Sequence, residues 1–380
     1  MRVRINRKEL FSYLKSMIRI VPQSHNVMEL LGFLVECNED DGFIYITASS
    51  LETSIKRKFK ASIEEGGSIV VNARMFLGIT ERLGGEDVLL EYDGKLLGIT
   101  SEQCRYDIPV LDARNYPKPD IPFPDDLLKI SGICSLYSKT SASVGTDNKK
   151  PSLTGIHLDI YSDTVQASSC DTNRLAVTEN KCDCGGKLSV TIPKQSFFYL
   201  ANAVDDKDTL EMGLCGGSVV FMKSDMLFST RIIAEPFLNI DRLLKPADKK
   251  LVAKIKSADV QNMISTVSMI TSVSEDTAPV ALKFNENDIR LSVESTEATS
   301  SIDIPADIID GAGGEFYYNP KYFTDMMKVI RGDVEVYLTT GGILYVSNAV
   351  SEYMLMNTRN RTVKRKAKKA VSKIKEKKAA

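Results

Sequence analysis

The stretch FYYNPKYFTDMMKVIRGDVEVYLTTGGILYVSN, residues 316–348, decides the fold. It opens as a short apolar strand and passes Asn319. It then places Phe323, Met326, Met327 and Ile330 at i, i+3, i+4 and i+7, one face of a helix. An Arg-Gly-Asp turn follows, and two alternating runs flank Gly341-Gly342 as a β-hairpin. The same order occurs twice more. One copy is VVNARMFLGITERLGGEDVLLEYDGKLLGIT, residues 70–100; the other is VTIPKQSFFYLANAVDDKDTLEMGLCGGSVVFMKS, residues 190–224. Asn72, Pro193 and Asn319 each stand four residues before Phe76, Phe197 and Phe323, and these aromatics are 121 and then 126 residues apart. The middle copy carries Phe197, Leu200, Ala201 and Val204 on its helical face. The first carries Phe76, Ile79 and Leu83, interrupted by Thr80. The hairpin turns correspond as Asp93-Gly94, Gly216-Gly217 and Gly341-Gly342.

Working outward, each copy is preceded by a segment of common order. A helix comes first, over Lys8–Val21, Asp126–Lys139 and Asp259–Thr271. Asn6, three residues before Glu9, makes a near capping box for the first of them. Strand pairs follow: Phe33–Cys37 with Phe43–Ala48, Ile156–Ile160 with Val165–Ser169, and Ala281–Phe284 with Ile289–Val293. Linkers rich in Pro or Lys separate the repeats, at Tyr116-Pro117-Lys118-Pro119 and from Lys245-Pro246 to Lys250. The expectation is an α+β chain of three repeated domains, 1–121, 122–248 and 249–362, each with two helices and antiparallel sheets.

Charge is unevenly distributed. Residues 363–380 hold nine Lys/Arg and one Glu, a net of +8, so the net charge of −1 leaves −9 on the other 362 residues. An acidic body excludes a protein that adheres to nucleic acid over its whole surface. Seven scattered Cys suit a reducing compartment better than a disulfide framework, and Cys182-Asp183-Cys184 reads as a loop with two free thiols. With His25 and His157 the only histidines, no metal site and no cofactor are expected. The charged N-terminus is unlike a signal peptide, and no apolar run is long enough to span a membrane, so a cytoplasmic protein is expected. There is no phosphate loop, dinucleotide fingerprint, nucleophile elbow or His-based acid/base pair. The chain is therefore not read as an enzyme. A repeat-built interaction scaffold is one reading left open.

Three further stretches carry a resemblance: LTGIHLDIYSDTVQASSCDTNRLAVTE (residues 153–179), LFSTRIIAEPFLNIDRLLKP (residues 227–246) and EYMLMNTRN (residues 352–360). With the three-fold repeat, they make residues 1 to about 361 resemble the β subunit of bacterial DNA polymerase III, the β sliding clamps. The resemblance implies a DNA-clamp fold in which two chains, head to tail, close a six-domain ring around duplex DNA. DNA would be held without sequence specificity, through phosphates. The implied partners are the replicative DNA polymerase, the clamp loader, other proteins with a clamp-binding motif, and a second copy of the chain.

The resemblance also implies sites. A pocket for partner peptides falls on Leu153, Cys170, Thr172, Arg174, Leu175, Leu238, Leu243, Met354, Met356 and Arg359. Its Leu and Met residues suit a groove that repacks around different peptides. Thr172-Asn173 and Asn357-Thr358 depart from the family's Gly-His and Pro-Met pairs, so an altered motif preference is expected. DNA contacts fall on Arg7, Lys8, Lys15, Arg19, Arg74, Arg82, Lys149, Lys150, Lys194, Lys321, Lys328 and Arg331. After Lys150, Pro151-Ser152 stand where the family often has aromatics. The dimer contact sets Tyr106 and Ile108 against Met269 and Ile270 of a second copy.

The basic run VKRKAKKAVSKIKEKKAA extends past the family's usual end and is expected to stay disordered until it meets DNA or an acidic partner. Deleting residues 363–380 is expected to weaken binding to linear duplex DNA and to flatten its salt dependence. Each lost phosphate contact removes about 0.9 log units of affinity per log unit of salt. An unchanged slope in a salt titration would assign the run to a protein partner instead.

Overall fold

The computed structural model describes residues 1–121, 123–147, 149–260, 262, 265, 278–294, 299–310 and 314–359. Most of the expected helix Asp259–Thr271, the pair Met269 and Ile270, and the run 363–380 lie outside them. The chain packs as two units. The first holds Met1–Tyr137, Leu158–Val165 and Lys181–Ala234; the second holds Ser138–His157, Gln166–Asn180 and Glu235–Ala380.

The first unit is built on one thirteen-stranded sheet, antiparallel at every pairing. The expected pair Gly32–Cys37 with Phe43–Ser49 lies within it, and the hairpins turn at Gly94 and at Gly216-Gly217, all with positive φ. Strand Met226–Arg231, from the second repeat, pairs with Thr53–Lys60, from the first, in the register Met226↔Arg57 to Thr230↔Thr53. One hydrogen-bond ladder thus runs through both repeats. Against it lie the helices Arg7–Met17, Ala73–Arg82 and Lys194–Ala203, the first touching both others.

The anchors found in sequence are helix caps. The Asn6 side chain accepts from the Glu9 amide (3.1 Å), and Asn72 from Met75 (3.0 Å). In the second unit Asn319 accepts from Lys321 (3.0 Å) and Tyr322 (3.2 Å). Each satisfies amides that the first helical turn leaves unpaired, worth ~1 kcal/mol. Pro193 occupies the same position without a side-chain bond. Thr80 does not interrupt its helical face: it is fully buried, and its hydroxyl donates to the Phe76 carbonyl one turn back.

Three details differ from expectation. The segment read as a helix over Asp126–Lys139 is a strand, Leu128–Ser131, followed by a helix, Ile133–Thr140. Gly132, at φ 75°, turns the chain between them, and the strand finds its partner in Thr209–Cys215, about 80 residues on, which local periodicity cannot reveal. The first helix ends at Met17 rather than Val21, consistent with the bias against helical backbone just before Pro22. In the middle repeat the buried helical face runs through Ser196, Phe197, Leu200 and Ala203, in place of Ala201 and Val204.

At the junction of the repeats Arg57 is 5% exposed. Its guanidinium donates to Asp225 and to the Ala203 carbonyl and lies 5.0 Å from the Tyr13 ring. Burial and the neighbouring Asp225 push the Tyr13 phenol above its ordinary value, so it stays neutral. Alongside, Thr53, Ser196 and Thr230 join three buried hydroxyls at 2.8–3.0 Å.

The second unit pairs strand Arg174–Lys181 with Ser351–Leu355, continues through Leu344–Ser347, Val334–Leu338 and Lys250–Ile255, and ends at Asp307–Ile308. A four-stranded sheet orders Thr299–Pro305, Asp288–Glu294, Val280–Phe284 and Glu315–Tyr318. The expected pairing of Ala281–Phe284 with Ile289–Val293 is part of it. Helix Pro320–Val329 sends Phe323, Met326 and Met327 into the core, followed by Ile330, the face read from sequence.

Arg57→Ala is expected to destabilise the protein by ~3 kcal/mol, because it strands Asp225 without its buried partner. In denaturant titrations the double variant Arg57→Leu/Asp225→Leu should recover most of the loss. Equal loss in single and double variants would rule out an electrostatic origin.

Candidate functional site

In the second unit, Leu153, Cys170, Leu175, Val177, Ile240, Leu244, Tyr345 and Met354 form one apolar cluster, with Phe237, Leu243, Tyr337 and Ile343 packed on its flank. Register places these residues. Leu175 faces Met354 across the ladder, and Arg174 faces Leu355. Gly145 brings its backbone against Leu153, its amide donating to the Leu153 carbonyl at 2.8 Å. The Tyr345 hydroxyl donates to the Leu243 carbonyl at 2.9 Å, which ties helix Ile240–Leu244 down. Burial first, then the carboxylates of Glu352 and Asp248, push that phenol up to about 12, so it remains a donor at neutral pH. Burial also raises the Cys170 thiol, which keeps it an apolar group here.

The rim of the cluster is polar and fixed. Thr172 sits at φ 78°, a left-handed conformation uncommon for a non-glycine residue. The Asp171 carboxylate holds the turn by accepting from the amides of Asn173 (3.0 Å) and Arg174 (3.1 Å) and from Arg174 Nε (2.8 Å). Arg174 also donates through Nη1 to Asp325 (2.9 Å), and its guanidinium carbon lies 4.1 Å from the centre of the Tyr322 ring. The Met356 amide donates to the Asn173 carbonyl and the Thr358 amide to the Tyr317 carbonyl, both at 2.7 Å. The Asn357 side chain donates to the Gly341 carbonyl at 2.7 Å. Leu238 and Met356 are exposed large apolar residues, 43% and 37% open, and Thr172 and Arg359 are exposed as well.

Five of the ten residues expected at this site thus pack in or directly on the cluster: Leu153, Cys170, Leu175, Leu243 and Met354; Arg174, paired with Leu355, alternates to the other face of its strand. Leu238, Met356, Thr172 and Arg359 supply exposed groups from adjoining backbone. Sequence reasoning missed Tyr322 and Asp325, which lie about 150 residues from the arginine they hold. It also missed Phe237, whose ring stacks on His157 at 4.7 Å, although the alternation around His157 marked it as a strand-face residue.

The expected cations lie on helices or beside them. In the first unit Lys8, Lys15, Arg19, Arg74 and Arg82 are exposed, and Arg7 and Lys194 are half-buried. Arg7 Nε donates to the Gly85 carbonyl (3.0 Å), Arg82 to Gly78 (2.8 Å), and Arg19 lies 5.1 Å from the Phe198 ring. In the second unit Lys149, Lys150, Lys321, Lys328 and Arg331 are exposed. Arg331 caps the end of its own helix by donating to the Lys328 and Ile330 carbonyls.

Strand Cys104–Asp112 has an unusual pairing. Cys104 to Pro109 pair on one side with Leu96–Ser101, and only Val110 to Asp112 pair with Ile69–Val71. Among the described residues the second edge of Cys104 to Pro109 is unpaired. Tyr106 on this edge is 41% exposed, whereas Ile108 is buried.

Three family models match the chain in order: the N-terminal domain of the DNA polymerase III beta subunit on residues 1–120, its central domain on 128–238 and its C-terminal domain on 242–364. The chain belongs to the DNA polymerase III beta subunit family. Among curated relatives, the beta sliding clamp of Bacillus subtilis is 26% identical over 352 residues, 87% of this chain and 91% of the relative. That of Synechocystis is 24% identical over 369 residues, 90% and 94% of the two. The fold is shared with the beta subunit of Thermotoga maritima (TM-score 0.84, 20% identity, 94% of this chain and 99% of the other). It is shared as well with the Bacillus subtilis sliding clamp (TM-score 0.85, 22% identity, 94% and 99%). As a beta subunit the chain is a non-enzymatic processivity factor.

In this beta subunit the cluster has two kinds of residue, which substitution separates. Leu175→Ala opens a cavity in packed surroundings and is expected to cost ~2–5 kcal/mol of stability. Met356→Ala, at an exposed position, is expected to stay within about 0.5 kcal/mol of wild type. Thermal unfolding distinguishes them, and a comparable loss from Met356→Ala would show it to be core rather than rim.

Proposed function

We infer that this beta subunit is a DNA sliding clamp: a ring-shaped processivity factor that encircles duplex DNA and tethers the replicative polymerase and other replication or repair proteins. The observation that carries the reading is the succession of all three beta-subunit domains along one chain. The scaffold alternative is not favoured. The domain boundaries proposed are 1–121, 122–248 and 249–362, with 363–380 as a basic extension.

The ring needs a second copy. The unpaired edge from Cys104 to Pro109 is a hydrogen-bonding surface that a monomer leaves open, and such edges invite pairing with another chain. In the second unit, Thr299–Pro305 is likewise the outer strand of its sheet. Pairing of edges between two copies, head to tail, satisfies the backbone at two equivalent interfaces and closes a six-domain ring. Tyr106 and Ile108 would belong to that contact, opposite Met269 and Ile270 of the second copy.

DNA inside such a ring is retained by topology, so the contacts need only be weak and directed at phosphates. The exposed Lys8, Lys15, Arg74, Lys149, Lys150, Lys321 and Lys328 suit that role. Arg7, Arg82 and Arg331 are partly engaged by backbone carbonyls and contribute through their charge. The apolar cluster around Leu175 and Met354, with Leu238 and Met356 open at its rim, takes short partly hydrophobic peptides from polymerases, the clamp loader and other partners. No helix among the described residues is long and apolar enough to cross a membrane, and the working site proposed is the cytoplasm.

Light scattering coupled to size exclusion is expected to show a dimer at micromolar concentration, and Tyr106→Arg is expected to shift it to monomer. A wild-type chain that remains monomeric would overturn ring closure. Removing the chain from Met354 onward is expected to abolish polymerase stimulation by the peptide route. Unchanged peptide affinity would place the pocket elsewhere.

A further inference from the structure

The loop after strand Arg174–Lys181 holds two free thiols one residue apart, Cys182 and Cys184, in unequal surroundings. Its backbone is pinned. The Cys182 amide donates to the Asp163 carbonyl (3.0 Å) and the Cys184 amide to that of Ser162 (2.9 Å), and Gly185, at φ 75°, turns the chain away. Cys184 is 1% exposed, and its thiol folds back to donate to the Cys182 carbonyl at 3.2 Å. Cys182 is half-buried, and its thiol donates to the Lys129 carbonyl at 3.7 Å. Burial first, then the adjoining Cys182, then Asp183 and Asp163 push the Cys184 thiol up to about 12. Cys184 thus stays protonated and inert at neutral pH, and Cys182 is the thiol that a solute can reach. Two residues apart, their Cα atoms are at most about 7 Å from each other, near the upper end of what a disulfide spans. The loop also covers one side of strand Leu128–Ser131. The Lys129 amide donates to the Cys184 carbonyl at 3.0 Å, while the other side of the strand pairs with Thr209–Cys215.

We propose that Cys182 and Cys184 form a thiol-modification site for low-molecular-weight disulfides of the glutathione class, with Cys182 as the attacking thiol and Cys184 as the resolving one. The Cys182 thiolate attacks one sulfur of the small disulfide, forming a mixed disulfide and expelling a thiolate. The Cys184 thiolate then attacks the Cys182 sulfur, forming the loop disulfide and expelling the second thiolate. The two protons lost by the protein thiols end on the two released thiols, so one small disulfide is reduced as the protein dithiol is oxidised. The order follows from the surroundings. Burial shields Cys184 from a solute but leaves it one residue from Cys182, and a capped Cys182 no longer opposes a thiolate at Cys184. In a reducing milieu such a bond is transient. Its closure acts on the neighbouring strand. Cys182 gives up the S–H that the Lys129 carbonyl accepts, and the bond draws on Cys184, whose carbonyl holds the Lys129 amide. Oxidation therefore loosens Leu128–Ser131, the strand at one end of the thirteen-stranded order.

The test exposes the full-length chain to oxidised glutathione, quenches with acid and maps the products by mass spectrometry. Trypsin cuts after Lys181 and Lys187, so both thiols fall in one peptide. In wild type that peptide should lose two hydrogens and carry no glutathione, and dithiothreitol should reverse the change. Cys184→Ser, whose hydroxyl can keep the bond to the Cys182 carbonyl, should trap glutathione on Cys182. Cys182→Ser should leave Cys184 unmodified in the folded chain and let it take glutathione in urea, which assigns the order of attack to the fold. In hydrogen exchange followed by NMR, the Lys129 amide should exchange roughly fivefold faster in oxidised than in reduced wild type, the loss of about one hydrogen bond. Cys182→Ser treated in the same way should show no such change. A stable glutathione adduct on Cys182 of wild type, or an adduct on Cys184 of folded Cys182→Ser, overturns the dithiol assignment. Unchanged Lys129 exchange in the oxidised chain overturns the coupling to the strand.

Discussion

The pairing of Met226–Arg231 with Thr53–Lys60 is the constraint on which the first unit depends. Each repeat alone would leave strand edges with unpaired amides and carbonyls. Joined in one register, they satisfy each other and extend a single ladder through thirteen strands. Register is what such a seam must protect, because a slip of one residue turns every side chain to the opposite face. Here polar groups at the seam enforce it. Arg57 lies opposite Met226 and reaches Asp225 and Ala203, and Thr53 lies opposite Thr230 and shares its hydroxyl network with Ser196. A slipped register would bury an unpaired guanidinium and orphan three hydroxyls, a larger loss than an apolar seam would suffer.

The same economy of edges explains why the molecule is read as half of a ring. All twelve pairings between neighbours in the thirteen-strand order fall within the unit, yet among the described residues Cys104 to Pro109 keeps a free side because its strand changes partner at Val110. An edge that carries Tyr106, Arg105 and Asp107 is polar enough to remain soluble and ordered enough to template a strand from a second copy. Open edges at both ends of a chain make pairing self-complementary, and closure removes them altogether.

How much of this could be read from sequence depended on how local the cause was. Helix starts were legible at Asn72 and Asn319 because a cap needs only a side chain and amides two or three residues away. Hairpins at Gly94, Gly217 and Gly342 were legible because positive φ at a turn selects glycine. Strand Leu128–Ser131 was not, since its partner comes from a distant hairpin and its few residues fit a helical stripe equally well. Thr80 looked like a break in an apolar face. A hydroxyl bonded back to the carbonyl one turn earlier buries as readily as a methyl group, and Thr324 repeats the device with Pro320. At the proposed pocket, the apolar members could be matched by resemblance, but the pair that holds Arg174 could not, because nothing local links Arg174 to Tyr322 and Asp325.

Charge placement follows from the same division of labour. A ring held on DNA by closure gains nothing from tight phosphate binding, which would slow sliding; the 362 residues of the body accordingly carry −9. Several arginines near the candidate DNA face are turned partly inward to carbonyls at helix ends, where the backbone dipole favours a cation. This softens their pull on phosphates while keeping the helix ends satisfied. The nine Lys/Arg of residues 363–380 come after the three repeats in sequence, so the residues of the register and the seam are the same whatever charge that run carries. The folded body sets geometry, and net charge can vary around it.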